Sequence, residues 1–197
     1  YQSQLHGHIH MYRLITMYLT LSQLNRNYRY IITTDVRDVV FQKNPSEYLD
    51  KNLKNKILVS SENVKYKDEA WGTKNILEGY NDILLQRYSD ELSCNVGVLA
   101  GEYKAMMDLL LLNYLVSQAG NTEHYTDQSS FNFIIHNKLV TDSVQIEGLE
   151  SPWALQLGTI NNPNLIGTHS IDIDEYTIVH QYDRNSEINE SITNRYL

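Results

Sequence analysis

Short apolar segments with strand character alternate along this chain with longer segments whose apolar residues recur at helical spacing. The strand-like segments cover residues 30–34, 57–60, 96–101, 144–146 and 177–179, and the helical ones about residues 9–24, 73–88, 103–116 and 127–136. This alternation predicts a single three-layer α/β domain over residues 1–197, with a mainly parallel central sheet and flanking helices. The segment 103–116 is apolar nearly all round, so we expect it to be the most buried helix.

Composition excludes several classes of protein. The chain has 197 residues and a net charge of -8, which argues against nucleic-acid binding because phosphates require clustered Lys and Arg. No apolar run is long enough to predict a membrane span. The single cysteine, Cys94, excludes an intrachain disulfide and a thiolate metal cage. Together with the absence of a signal segment in this sequence, it favours a cytoplasmic location.

Two aspartates and an arginine interrupt the apolar stretch between Tyr30 and Phe41. In open α/β sheets, ligands bind beyond the carboxyl ends of the strands, where Asp35 and Asp38 fall. Two carboxylates there are costly unless a cation or hydrogen-bond donors compensate them. The pair therefore predicts either a site for Mg²⁺ or Mn²⁺ or a solvated turn in which an aspartate pairs with Arg37. A phosphatase-type aspartate is disfavoured, because Arg37 stands where that chemistry needs a second acid.

Histidines offer two further candidates. His180 follows an apolar strand and is either a neutral imidazole ligand or a buried histidine satisfied by the backbone. The histidines at positions 6, 8 and 10 alternate as in some chelating motifs. Their place ahead of a helix, near the start of the sequence, favours an exposed end or a helix cap.

The remaining candidates are polar or aromatic residues near element ends. Asp127 and Gln128 open a helix, where the aspartate either favours the helix dipole or points into a cleft as a base. Asn95 and Gly97 flank a strand start, and a glycine there permits a ligand to approach the backbone closely. Trp153 is either a platform for a sugar ring or part of the core.

Taken in chain order, these segments resemble glycosyltransferases of the GT-A fold, which use a nucleotide sugar and a DxD metal motif. The segments are "YIITTDVRDVVFQKNP", "LSCNVGVLAG", "DQSSFNFIIHN", "SPWALQLGT" and "YTIVHQYDR", within about residues 10–185. The resemblance implies a Rossmann-like sheet and transfer of a sugar from a nucleotide-sugar donor to a carbohydrate, protein or lipid acceptor. It leaves the sugar, the acceptor and the stereochemistry open.

The resemblance also implies roles for individual residues. Asp35, Asp38 and His180 would hold Mn²⁺ or Mg²⁺, and the cation would neutralise the leaving nucleoside diphosphate. Asp127 would line the sugar and acceptor side and act as the base if the reaction inverts. The donor and acceptor sites would be shaped by Asn95, Gly97, Trp153, Arg37 and Gln128.

Two departures from the family pattern are visible. The sequence has Asp-Val-Arg-Asp instead of Asp-x-Asp, so aligning Asp38 on the second acid leaves Asp35 one residue early. Only 34 residues precede Asp35, fewer than the nucleotide-binding half of such a domain needs, so we expect an upstream part outside this sequence. An incomplete donor site is also compatible with a non-catalytic carbohydrate-binding or interaction module.

Overall fold

The computed structural model describes residues 8–24, 28–121, 123–124, 126–140, 144–167 and 170–196. The α-helices in this part of the chain are α1 (Ile9–Gln23), α2 (Pro45–Asn52), α3 (Ala70–Gly79), α4 (Asp82–Tyr88), α5 (Tyr103–Ser117), α6 (Asp127–His136) and α7 (Ser186–Tyr196). The strands are β1 (Tyr30–Thr34), β2 (Val39–Phe41), β3 (Ile57–Lys65), β4 (Leu92–Glu102), β5 (Val144–Glu147), β6 (Ala154–Gln156) and β7 (Ile178–His180).

The strands form two mixed sheets. The larger sheet has the order β1-β4-β3-β5, in which β4 is antiparallel to both neighbours and β5 is parallel to β3. The smaller sheet has the order β2-β7-β6, with β2 antiparallel and β6 parallel to β7. The prediction of a mainly parallel sheet is therefore wrong. A connection between two parallel strands needs a helix that packs on the sheet. Helix α3 instead packs on α4 and α6, and the chain then returns along β4, antiparallel to β3.

Three layers are present, but the third is not made of helices alone. Helices α1, α5 and α6 cover one face of the larger sheet, around a core that includes Leu99, Met106 and Phe131. The opposite face packs on the smaller sheet and α2 through residues such as Leu49 and Trp153. Helix α7 covers the outer face of the smaller sheet through Ile192. The predicted flanking helices are thus supplemented by a second sheet.

Helix α6, and not α5, is the most buried of the three helices on this face of the larger sheet. Helix α5 leaves Lys104, Asp108 and Leu115 exposed, because its outer side has no packing partner among the described residues. Eight residues of α6 are buried, including polar ones. Asn132 makes this burial possible, because its side-chain amide accepts from the Cys94 N–H and donates to the Cys94 carbonyl, both at 2.8 Å.

Most predicted elements are confirmed, with two differences. The expected helix at 73–88 is two helices, because Asn81 interrupts it and caps α4 by accepting from the Leu84 N–H at 3.0 Å. Strand β6 lies between the predicted strands 144–146 and 177–179, where the sequence predicts no element. His8 caps α1, accepting from the His10 N–H at 3.4 Å, as expected for a helix-cap role. His6 and Gly7 lie outside the described residues.

Candidate metal and donor site

The turn that carries the two aspartates crosses from one sheet to the other. Asp35 directly follows β1 of the larger sheet, and its N–H donates to the Gly97 carbonyl on β4 at 2.8 Å. Asp38 directly precedes β2 of the smaller sheet, and its carbonyl accepts from the Gln181 N–H at 2.7 Å. The charged turn between two apolar runs is thus the crossover between two buried sheets.

The same strand pairing brings His180 to the aspartates. Residue 180 ends β7, where it stands opposite Val39 in the antiparallel register with β2. Its Nε2 atom lies 3.4 Å from Asp35 Oδ2 and 3.8 Å from Asp38 Oδ1. One potential ligand atom from each of the three side chains lies within 4.8 Å of the other two. The pairing of β2 with β7 therefore brings His180 next to two aspartates that are distant from it in the sequence.

The second ring nitrogen of His180 has its own partner. Nδ1 lies 2.7 Å from Gln156 Oε1, an acceptor to which Nδ1–H can donate. A neutral ring with its proton on Nδ1 presents the Nε2 lone pair towards the two carboxylates. Nε2 is buried and has no hydrogen-bond partner among the residues described. A lone pair facing two anions is unfavourable unless a cation lies between them.

These three side chains form a group that could hold a metal ion. Two carboxylates and one imidazole offer oxygen and nitrogen ligands, a combination found in sites for divalent metals. Burial alone would raise the pKa of Asp35, but in the metal-free protein the adjacent His180 ring, acting as a donor, and the Arg13 guanidinium outweigh it and lower that pKa to about 2. Asp35 is therefore ionised and able to bind a metal at neutral pH.

Gly97 is the residue that leaves room for this cluster. A Cβ atom at position 97 would lie 2.3 Å from His180 Cε1 and 2.8 Å from Asp35 Oδ2. Both distances are shorter than any van der Waals contact, so a larger residue would displace the imidazole or the carboxylate. The glycine expected to permit close approach of a ligand instead permits close approach of two candidate ligand side chains.

Arg13 connects the cluster to Asp127, and sequence reasoning missed it. Its guanidinium forms an ion pair with Asp35 and a second one with Asp127, whose Oδ2 lies 2.7 Å from Nη2. Burial disfavours the charge on Arg13, but the carboxylates of Asp127 and Asp35 outweigh that effect and raise the pKa of the guanidinium. A signal was available, because Arg13 is the one charged residue in the sequence of α1.

The cluster borders a cleft of about 340 Å³. The cleft is lined by several of the residues singled out in the sequence, namely Asp35, Asn95, Gly97, Asp127, Gln128 and His180. A second cavity of about 600 Å³, lined by Asp35, Asp38 and apolar residues of α1, meets the cleft at the cluster. A further cavity of about 510 Å³ lies on the outer side of α5 and includes none of the candidate residues.

A buried carboxylate forms part of the cleft wall and was also missed. Glu62 accepts hydrogen bonds from Ser93 Oγ at 2.7 Å, from Asn95 Nδ2 at 2.8 Å and from Gln128 Nε2 at 3.4 Å. Its burial raises its pKa above the usual value. Asn95 and Gln128 therefore act locally as donors to Glu62. No feature of the sequence around Glu62 distinguishes this buried acid from an exposed one.

Two predicted binding residues do not line the smaller cleft. Trp153 is fully buried between the two sheets, packed against Tyr48 at 5.1 Å between ring centroids. It belongs to the core, so the prediction of a sugar platform at this position is wrong. Arg37 points to solvent with 79% of its side chain exposed and pairs with Asp183 at 2.9 Å. It borders the larger cavity together with Asp35 and Asp38, and it is absent from the lining of the smaller cleft.

No protein-family profile matches the sequence, and no curated protein matches it significantly. Among solved structures, the chain is similar to the apo structure of WbbM, described as a bifunctional glycosyltransferase, with a TM-score of 0.46 and 16% identity. The alignment covers 87% of this chain and 31% of that one, so the chain spans about a third of its length. A likeness of this degree does not establish a family. Within the described residues, no helix is both long and apolar enough to cross a bilayer.

Replacing Gln156 with leucine is expected to weaken Mn²⁺ binding by about 10- to 100-fold, the usual effect of losing a hydrogen-bond partner of a ligating histidine. Leucine cannot accept the Nδ1 proton, so the ring loses its fixed orientation. Replacement with glutamate keeps the acceptor and is expected to preserve affinity. Titration of Mn²⁺ followed by electron paramagnetic resonance measures both, with the exposed Gln86→Leu as a control. Equal affinity in the Gln156→Leu protein would contradict this role.

Proposed function

We propose that this chain is a metal-dependent glycosyltransferase that moves a sugar from a nucleotide-sugar donor to an acceptor hydroxyl. The observation that carries the proposal is the group formed by Asp35, Asp38 and His180, with its orphaned imidazole nitrogen, at the junction of two cavities. A nucleotide sugar has a diphosphate between two bulky groups. A cation site between two cavities matches that arrangement. The sequence motifs that resemble GT-A enzymes give independent support.

The reaction assigns distinct tasks to the residues around the junction. A cation held by Asp35, Asp38 and His180 would supply charge neutralisation for the leaving nucleoside diphosphate. The bond from the anomeric carbon to phosphate oxygen breaks and its electrons stay on the diphosphate, while the acceptor oxygen bonds to that carbon. Arg13 is positioned to bind a phosphate oxygen once a cation takes over its pairing with Asp35.

Asp127 is the proposed acceptor of the hydroxyl proton in a reaction that inverts the anomeric centre. Its carboxylate lines the cleft beyond the cation site and is paired with Arg13 at 2.7 Å. In this arrangement the carboxylate is engaged by Arg13. Movement of Arg13 onto the donor phosphate would free the carboxylate to accept the proton of the acceptor hydroxyl when donor is bound.

A panel of nucleotide sugars incubated with the protein and Mn²⁺, with release of nucleoside diphosphate as the readout, tests the proposal. We expect release from at least one donor, its loss on adding a chelator and its loss in Asp38→Ala. The exposed Asp90→Asn should retain the activity. No release from any donor, combined with no metal-dependent binding of any nucleoside diphosphate, would overturn the proposal in favour of a non-catalytic carbohydrate-binding or interaction module.

A further inference from the structure

The chain has two tryptophans, and they occupy opposite environments. Trp153 is fully buried, whereas Trp71 is 44% exposed. Trp71 lies in the first turn of α3 and lines the same cleft as Asp35 and His180. Scattered exposed apolar residues need no explanation. A large aromatic ring on the wall of a polar cleft is different, because it offers water an unfavourable surface that a ligand can cover.

The backbone beneath Trp71 is held firmly. The Glu69 carboxylate caps α3, accepting from the Trp71 N–H at 3.0 Å and from the Gly72 N–H. A Cβ at position 72 would lie 2.8 Å from Glu69 Oε2 and 3.0 Å from the ring of buried Tyr66, so the turn is also closely packed. A fixed backbone presents the indole in a defined place, which lowers the entropy cost of binding a ligand on it.

The rest of the cleft is rich in hydrogen-bonding groups. Glu62, Asp127 and Gln128 contribute carboxylate and amide groups to its lining. A pyranose ring has the complementary chemistry, with hydroxyls around its edge and apolar C–H groups on its faces. Stacking of one face on an indole while the hydroxyls meet carboxylates and amides uses both kinds of group. An uncharged ring with an apolar C–H face and hydroxyls around its edge fits this wall better than a purely apolar ligand.

The position of Trp71 relative to the two cavities indicates which sugar it contacts. Asp35 and Arg13 line both cavities, whereas Trp71 lines the smaller cleft alone. A diphosphate at the junction therefore leaves the Trp71 side of the cleft for rings beyond the reacting bond. We infer that Trp71 is the platform for a pyranose ring of a saccharide acceptor. That the saccharide is an acceptor rests on the proposed glycosyltransferase function, whereas the binding of a saccharide at Trp71 does not.

Tryptophan fluorescence gives a direct test, because Trp153 is inaccessible and Trp71 reports on the cleft. We expect methyl glycosides of glucose, galactose, mannose or N-acetylglucosamine, or lactose, to protect Trp71 from quenching by acrylamide. Sorbitol at the same concentration is the control for a polyol without a ring. In Trp71→Phe, the remaining emission from Trp153 should be weakly quenched and unchanged by any sugar.

A second measurement follows binding without relying on that fluorophore. Saturation-transfer NMR should detect the protective glycoside on the wild-type protein and show roughly tenfold weaker binding to Trp71→Ala, the effect of losing one stacking contact. Leu77→Ala, a 43% exposed residue of α3 outside the cleft, should bind as wild type.

The outcomes separate this inference from the proposed function. Protection by a saccharide, with neither nucleotide release nor metal-dependent binding of a nucleoside diphosphate, would support the Trp71 platform and overturn the transferase proposal. Nucleotide release together with unprotected Trp71 for every sugar, or equal binding by wild type and Trp71→Ala, would overturn the platform and leave the transferase proposal standing.

Discussion

Replacing Asp38 with alanine is expected to reduce Mn²⁺ affinity, measured with a nucleoside diphosphate present, by more than ~100-fold, because loss of even an outer partner of a metal ligand costs 10- to 100-fold. His180→Gln should have an effect of similar size, since it removes the imidazole that faces both aspartates at 3.4 and 3.8 Å. The two substitutions act on opposite strands of one antiparallel pair. Loss of Mn²⁺ binding in both variants would therefore indicate that Asp38 and His180 bind the same ion.

The unfolding temperature without metal separates a lost ligand from a damaged fold. Asp38 adds a buried negative charge beside Asp35, so its removal relieves repulsion and should not lower the stability of the metal-free protein. Asp90→Asn, an exposed acid distant from the cluster, should retain full affinity. Loss of binding in Asp38→Ala with none in His180→Gln would remove His180 from the site. Unchanged binding in both would return the aspartates to a simple turn.

Replacing Asp127 with asparagine is expected to lower the rate of sugar transfer by at least ~10²-fold, the usual contribution of a general base. Asparagine keeps the size of the side chain and its place at the start of α6, but it cannot accept the acceptor proton. Mn²⁺ affinity should change little, because Asp127 is not among the three candidate ligands. Steady-state rates at saturating donor and acceptor measure the effect.

Two controls accompany the measurement on Asp127→Asn. Asp108→Asn, an exposed acid on α5, should leave the rate unchanged. The unfolding free energy of Asp127→Asn should be measured beside the rate and is expected to fall, because the substitution removes one of the two carboxylates that pair with Arg13. An unaltered transfer rate would reduce Asp127 to its pairing with Arg13 and its favourable position at the helix start.

Local patterns were sufficient to predict most elements. The run Tyr30–Thr34 has strand character and ends at a charged residue, and α6 begins at Asp127 and ends at His136 as its periodicity predicts. Such features depend on contacts within a few residues, so they are present in the sequence alone. The same patterns could not give the strand directions, because helices α3 and α4 look like a crossover connection but do not cover the sheet.

The candidate site also combines features that the sequence predicts with features that only the fold determines. The identities of Asp35, Asp38 and His180 as possible ligands follow from their chemistry and from the apolar runs beside them. Their convergence within 4.8 Å depends on the pairing of β2 with β7. Gln156, Glu62 and Trp71 have no distinctive local pattern. Like Arg13, each gains its place in or behind the cleft from packing between distant segments.

The two tryptophans illustrate the physical reason. Side-chain chemistry marks both as possible sugar platforms, yet one fills the space between two sheets and the other lies in the cleft wall. Sequence thus defines which chemical groups are available and where local structure begins and ends. Which of those groups meet, and which remain open to a ligand, depends on long-range packing, because burial is a property of neighbours that are distant in the chain.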